Sequence, residues 1–374
     1  VRQRTSRIAL IGPVLPFRGG IAQHATALRR SLAEVTEVRT FSFSRQYPGW
    51  LFPGESDRDP AFEGHVEPDT EYSIDSVNPL AWRRVVRRIV EWRPDAVVIP
   101  WWTVYFAPSS FYFAGRFRRA GIPVVFLCHN VVEHETAGWR RALTARVLGR
   151  GSAYVVHTGI DKENLQRLVP GARIVQQAHP VYEHFPEPTG ASKPEHDIEL
   201  LFFGFVRPYK GLDVLLDAVA LVDPALDVRL TVAGESWQGR EPIEKQVADL
   251  GIEDRVHLDL HYLTDEQIAE YFGRAHAAVL PYRSATGSGV IAVAYNYDTP
   301  VIVTSVGGLP DVVVDGRRGF LVPPEDPAAL ARAIERLASA DIAAMRRHVH
   351  AYKAEELTWD RLAHAVLEAA GVRG

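Results

Sequence analysis

The sequence predicts an α/β protein built from two doubly wound, Rossmann-like domains facing a cleft. Three observations carry that expectation. Short apolar runs alternate with helical patterns from end to end, as in parallel sheets covered by helices. The length of 374 residues exceeds what one ordinary core organises. A proline- and charge-rich stretch from Glu183 to Asp197 separates two similar series of strands and reads as a linker.

In the first series the strands are Ile8–Ile11, Val38–Phe43, Ala96–Pro100, Val124–Leu127, Ala153–His157 and Ile174–Gln177. The polar stretch Tyr47 to Asp75, rich in glycine and proline, reads as a long excursion from this domain. The second series runs Glu199–Phe205, Val228–Ala233, Arg255–Leu260, Ala277–Tyr282 and Val301–Ser305. Near the end, Leu362, Val366, Leu367 and Ala370 recur at helical spacing. The expected boundaries are residues 1–182 for the first domain, 183–197 for the linker, 198–355 for the second domain and 356–374 for a terminal helix.

Composition narrows the function. With 47% hydrophobic and 24% charged residues and a net charge of −4, nothing marks the chain as a nucleic-acid binder. A single cysteine, Cys128, excludes an internal disulfide and a cysteine zinc cluster, and fits a cytoplasmic protein. Arg2, Arg4 and Arg7 precede an apolar run as in a signal peptide. Gly12, Pro13 and Pro16 interrupt that run, so a first strand is the better reading. No stretch has the ~18 uninterrupted apolar residues of a membrane span.

The most informative segment is Leu201 to Ala220. A buried strand leads into a turn carrying Arg207 and Lys210, then a helix whose apolar face is Leu212, Leu215, Leu216 and Val219. The turn lies at the carboxyl end of a strand, where open α/β sheets bind ligands. Two cations at a helix start are suited to a diphosphate. Lys210 is one of only five lysines in an arginine-rich chain. Solvated turn residues on the surface, outside the core, would give the same sequence.

Three further turns favour anions. Gly19 and Gly20 open a helix with a buried stripe of Ile21, Ala25, Leu28 and Leu32, although the spacing is not that of a dinucleotide fingerprint. Gly287, Ser288, Gly289 and Val290 form a small-residue turn offering backbone N–H groups. Gly307 and Gly308 end another strand. His129 closes the strand Val124–Leu127 and is placed to hydrogen-bond a sugar or phosphate or to exchange a proton, while a backbone-satisfied capping histidine is the plainer reading. Cys128 beside it points to the opposite face and is structural.

Gly19-Gly20-Ile21, the Phe-Gly-x-x-Arg207-x-x-Lys210-Gly turn, Pro300 to Asp311 and Gly316 to Pro327 together resemble the family 4 retaining glycosyltransferases. The resemblance implies the GT-B fold, a nucleoside-diphosphate-sugar donor, retention of anomeric configuration and a terminal helix crossing back to the first domain. It assigns Arg207, Lys210 and the Gly19-Gly20 loop to the donor diphosphate and His129 to the transferred sugar. The turn Gly287 to Val290 is assigned to sugar and phosphate. The family carries two glutamates eight positions apart, and here Ala285 and Val293 stand in their places. Thr286, Ser288 or Glu235 are the candidate substitutes. A non-catalytic nucleotide-sugar-binding protein and a sugar-nucleotide epimerase are the alternative readings.

No metal or cofactor is expected beyond the donor substrate. Asp57-Arg58-Asp59 has the D-x-D form but sits in a polar loop, and the run from His129 to Glu135 matches no zinc spacing. For the hydroxyl acceptor (a glycan, a lipid-linked sugar or a small molecule), Trp101 and Trp102 are the expected wall. Arg83, Arg84, Arg87 and Arg88 share one face of a helix whose other face is apolar. That is the pattern of a sheet-covering helix, or of a peripheral contact with anionic lipid.

Overall fold

The computed structural model describes residues 5–48, 57–59, 62, 64–131, 138–182, 185–189, 196–236 and 239–372. The chain divides into two compact units, one of Val1–Ala178 with Trp359–Gly374 and one of His179–Thr358. The expected linker lies partly outside the described residues.

Among the described residues, the first unit has seven strands: β1 (Arg7–Ile11), β2 (Glu37–Arg45), β3 (Thr70–Asp75), β4 (Ala96–Trp101), β5 (Val124–Cys128), β6 (Ala153–Val156) and β7 (Ile174–Gln176). They form one parallel sheet in the order β3-β2-β1-β4-β5-β6-β7. The second unit has β8 (Ile198–Phe203), β9 (Val228–Ala233), β10 (Val256–Asp259), β11 (Ala277–Leu280), β12 (Val301–Thr304) and β13 (Gly319–Val322). These are also all parallel, in the order β10-β9-β8-β11-β12-β13. Each order reverses once, between β1 and β4 and between β8 and β11. Loops leaving the carboxyl ends of those strands diverge there and open a crevice.

The central strands are continuous apolar runs because helices cover both faces of the sheet. Val97, Val98, Val124, Val125, Leu200 and Ile302 are at most 2% exposed. The helix Leu212–Leu221 buries Leu212, Leu215, Leu216 and Val219, as its periodicity requires. Two edge strands differ from these, one in composition and one in length. β3 is written Thr-Glu-Tyr-Ser-Ile-Asp with only Ile74 fully buried, so the excursion from Tyr47 ends in a strand. β13 is four residues long and opens on a glycine.

The helix Trp359–Ala370 packs on the helix Gly20–Val35 and against β5, β6 and β7 of the first unit. Ser31 Oγ donates to Asp360 at 2.8 Å and Arg173 donates to the Glu368 carbonyl at 2.6 Å. The helix Pro79–Trp92, capped by Asn78, buries Val85, Val86 and Ile89 and leaves Arg83, Arg84, Arg87 and Arg88 exposed. Its buried apolar face packs inward, and the four arginines face outward together with Leu80 and Glu91. No helix among the described residues is long and apolar enough to cross a membrane.

Candidate functional site

In the second unit the reversal point brings together the loops after β8 and β11. Gly204, immediately after β8, has a positive φ of 90°. A Cβ there would come within 3.0 Å of the Lys210 Nζ and 3.9 Å of a Val290 methyl, so a side chain would fill the space between them. Pro208–Lys210 form one turn of 3-10 helix, and Gly211 follows in the left-handed region. At Gly211 a Cβ would stand 2.1 Å from the Pro281 carbonyl oxygen. Only glycine allows both that φ and that approach.

Arg283 clamps this turn. Its backbone N–H donates to the Tyr209 carbonyl at 2.8 Å. Its guanidinium donates to the Pro208 carbonyl at 2.5 Å, to both Asp213 carboxylate oxygens at 3.0 and 2.6 Å, and to Glu325 at 3.2 Å. These contacts hold the Arg283 guanidinium above its ordinary pKa, chiefly through the Asp213 hydrogen bond. This role is not legible in the sequence, because a single arginine after a strand has no spacing that announces a partner 70 residues away.

Lys210 differs from the solvated residue a surface turn would hold. It is 7% exposed, with Nζ 3.5 Å from the Phe203 carbonyl and 5.8 Å from the centre of the Tyr282 ring. Burial, and then the neighbouring Arg207 cation, push its pKa down to about 8. Among the described residues no carboxylate forms a salt bridge with it. A buried ammonium beside a half-buried guanidinium disfavours its own charge, and an incoming anion relieves that cost. Burial of the uncompensated charge opposes folding below about pH 8, and this opposition fades as pH rises toward the unfolded pKa of ~10.4. Anion binding has the opposite sign. Nucleoside diphosphate affinity is expected to fall by up to about tenfold per pH unit above pH 8 as Lys210 loses its proton. Calorimetric titration from about pH 7 to 9 checks this, and Lys210→Met should flatten the profile.

The other donor residues expected in the second unit lie around the same point. Ser288 caps the helix Gly289–Asn296, its Oγ accepting from the Val290 N–H at 3.2 Å. That amide is therefore partly engaged by the cap. Gly287 and Gly289 flank Ser288 in the turn that leads into this helix. Glu235 is exposed, and its backbone carbonyl accepts from Val206 at 2.9 Å, joining the loops after β8 and β9. Ala285 and Val293, at the positions of the missing glutamates, are 8% and 6% exposed. They are packed as apolar residues.

In the first unit His129 directly follows β5 and is half-buried, its backbone N–H donating to the Trp101 carbonyl at 2.9 Å. Register pairs Cys128 with Val156, so His129 and His157 leave neighbouring strand ends together. Gly20 opens the helix Gly20–Val35, and Gly19 before it provides no side-chain cap. His24, one turn in, lies on the buried face of that helix and meets the His129 ring edge-on at 4.5 Å. Periodicity marked the apolar members of that stripe and missed His24, while Ile21 at its end is only half-buried.

Trp101 requires a correction. It closes β4 at 2% exposure inside the core, so it forms no open wall, whereas Trp102 is half-buried with its ring 4.5 Å from Phe106. The pleat explains this, since adjacent residues at a strand end face opposite ways. Cys128 is fully buried and its thiol pKa is pushed well up by burial. The D-x-D segment is held by backbone bonds, Arg18 N–H to the Asp57 carbonyl at 2.9 Å and Asp59 N–H to the Pro16 carbonyl at 2.7 Å. The run from His129 to Glu135 falls mostly outside the described residues.

Comparison with known proteins assigns this architecture. Residues 18–179 match the model described as Glycosyltransferase Family 4, and residues 197–340 match that described as Glycosyl transferases group 1. The chain belongs to the family 4 glycosyltransferases. A protein of Streptomyces scabiei named D-inositol 3-phosphate glycosyltransferase is 32% identical over 282 residues, 67% of this chain and 63% of that protein. Its namesake in Streptomyces avermitilis is 35% identical over 59% of this chain and 46% of its own length. The chain thus spans about half to two thirds of these relatives. Among solved structures, Anabaena HepE in complex with UDP superimposes with a TM-score of 0.72 at 17% identity, covering 98% of this chain and 99% of that one. Sucrose-phosphate synthase from Thermosynechococcus elongatus gives 0.68 at 20% identity, covering 97% and 98%. These likenesses establish the two-domain, Rossmann-like GT-B fold.

Proposed function

We propose that the protein transfers a sugar from a nucleoside-diphosphate sugar to a hydroxyl acceptor with retention of anomeric configuration. The observation that carries this is the buried Lys210 beside Arg207 at the reversal point of the second sheet. Breaking the bond between the sugar and the diphosphate leaves growing negative charge on the leaving group. Cations already fixed in place stabilise that charge without reorganising. Arg207 offers a planar fork for two phosphate oxygens and Lys210 a point charge. His129, on the first unit, is the candidate to hydrogen-bond the transferred sugar. The acceptor hydroxyl adds on the face the diphosphate leaves, and its proton passes to the departing phosphate oxygen. The donor is the substrate, and the reaction calls for no further cofactor.

Uridine diphosphate, which HepE binds, is the first nucleotide to test, and phosphorylated polyols are the first acceptors, following the relatives' names. A thermal-shift screen of nucleoside diphosphates and nucleotide sugars identifies the donor, because a specific ligand stabilises by mass action. Incubation with donor and acceptor, followed by NMR of the product's anomeric proton, then tests transfer and stereochemistry together. Product with inverted configuration overturns retention. Epimerised donor in the absence of acceptor overturns transfer.

The outward arginines of the helix Pro79–Trp92 support a further reading, peripheral contact with anionic membranes through charge alone. Sedimentation with anionic vesicles is expected at low salt and release at high salt. No sedimentation at low salt leaves the helix a purely structural cover.

A further inference from the structure

His24, His129 and His157 come from three separate elements of the first unit and converge. Each offers a ring nitrogen, and these atoms all lie within 4.8 Å of one another. His24 is 1% and His157 7% exposed, while His129 forms the more open rim. Ring centres are 4.5 Å apart for His24 and His129, and 5.3 Å for His157 with each of the other two. Trp359 covers the His24 ring from one side at 5.0 Å.

A second observation concerns the tautomer. His157 Nδ1 is 3.0 Å from the Gln177 carbonyl oxygen, and a carbonyl only accepts, so Nδ1 carries the proton. In the neutral ring Nε2 is then the lone-pair nitrogen, and it is shielded from solvent. A histidine that donates one ring N–H to a backbone carbonyl and presents the other nitrogen is the usual form of a metal-ligating imidazole. Three imidazoles, with no carboxylate or thiolate among the described residues of the cluster, match borderline-soft divalent ions.

We propose that His24, His129 and His157 form a binding site for one divalent ion of the zinc, cobalt or nickel class. Tetrahedral geometry with metal–nitrogen bonds of about 2.0–2.1 Å brings the nitrogens to ~3.4 Å apart. Closing the remaining distance takes small rotations of the rings, since the nitrogens already lie within 4.8 Å of one another. Three protein ligands leave the fourth position to water or to a ligand oxygen. Sequence spacing gave no warning, because the three histidines are separated by 105 and 28 positions and only the sheet register and the first helix unite them.

The test uses the full chain without a polyhistidine tag, dialysed against Co²⁺ or Zn²⁺. Expected are one ion per chain, the visible absorption of four-coordinate Co²⁺, and a rise in melting temperature with metal concentration. His129→Ala, at the rim, should leave the metal-free melting temperature unchanged and weaken binding by at least ~100-fold, beyond the 10- to 100-fold lost with a supporting residue. His24→Ala and His157→Ala should weaken binding as much while also lowering the metal-free melting temperature, because their rings are buried, and His261→Ala, on the second unit, should leave metal binding unchanged. Absence of stoichiometric metal, or affinity unchanged in His129→Ala, overturns the site. The readout is bound metal, so it is independent of whether the protein transfers sugar or binds a nucleotide.

Discussion

Arg207→Ala is expected to weaken nucleoside diphosphate binding by about 10- to 100-fold, and Lys210→Met by a similar amount. Each charge-assisted hydrogen bond is worth about 1.5–3 kcal/mol, and 1.4 kcal/mol is tenfold in affinity. Methionine is chosen at position 210 because the lysine stem is buried, and alanine there would add a cavity to the lost charge. The turn should keep its shape in both variants, since Arg283 holds it through Pro208, Tyr209 and Asp213. Binding of the bare nucleoside, which has no phosphate, should be unaffected. Calorimetric titration of nucleoside and nucleoside diphosphate separates the contributions. Equal diphosphate affinity in wild type and both variants would remove the donor site and, with it, the main physical support for sugar transfer.

The architecture was legible wherever burial on both faces of a sheet wrote itself as an apolar run. β1, β4, β5, β8, β11 and β12 are largely of that kind, whereas β9 alternates, with Arg229 and Thr231 half-buried. β3 was not, because an edge strand with one buried residue has no need of an apolar alternation. Arg207 and Lys210 stood out by their place between a strand and an amphipathic helix, but their burial did not, since that depends on Tyr282 and the loop after β11. Arg283 and His24 were invisible for a shared reason. Each acts through partners distant in sequence, and each sits in a segment whose local pattern already has a sufficient structural explanation. Trp101 shows the converse error, an aromatic assigned to the surface by its neighbours in sequence although the strand extends one residue further and turns it inward.

His129→Ala tests the other half of the proposed chemistry and is expected to lower turnover at least ~10-fold, within a range that reaches 10²–10⁴ for a positioned acid–base or polar group. The residue stands at the carboxyl end of β5, where the sheet opens, and its backbone is anchored to Trp101, so the substitution removes the ring without freeing the chain. Diphosphate affinity should barely change, because the cations proposed to bind it belong to the second unit. Measured on metal-free wild type and variant, a fall in kcat with an unchanged Kd for nucleoside diphosphate therefore places the histidine at the reacting sugar. His129→Asn serves as the second variant, keeping a hydrogen-bonding group but no titratable proton. If Asn restores most of the turnover, the histidine positions the sugar by hydrogen bonding. If both variants are equally slow, it exchanges a proton. Turnover close to wild type in His129→Ala would take the residue out of the reaction altogether and leave the three-histidine cluster to be explained by metal binding or packing alone.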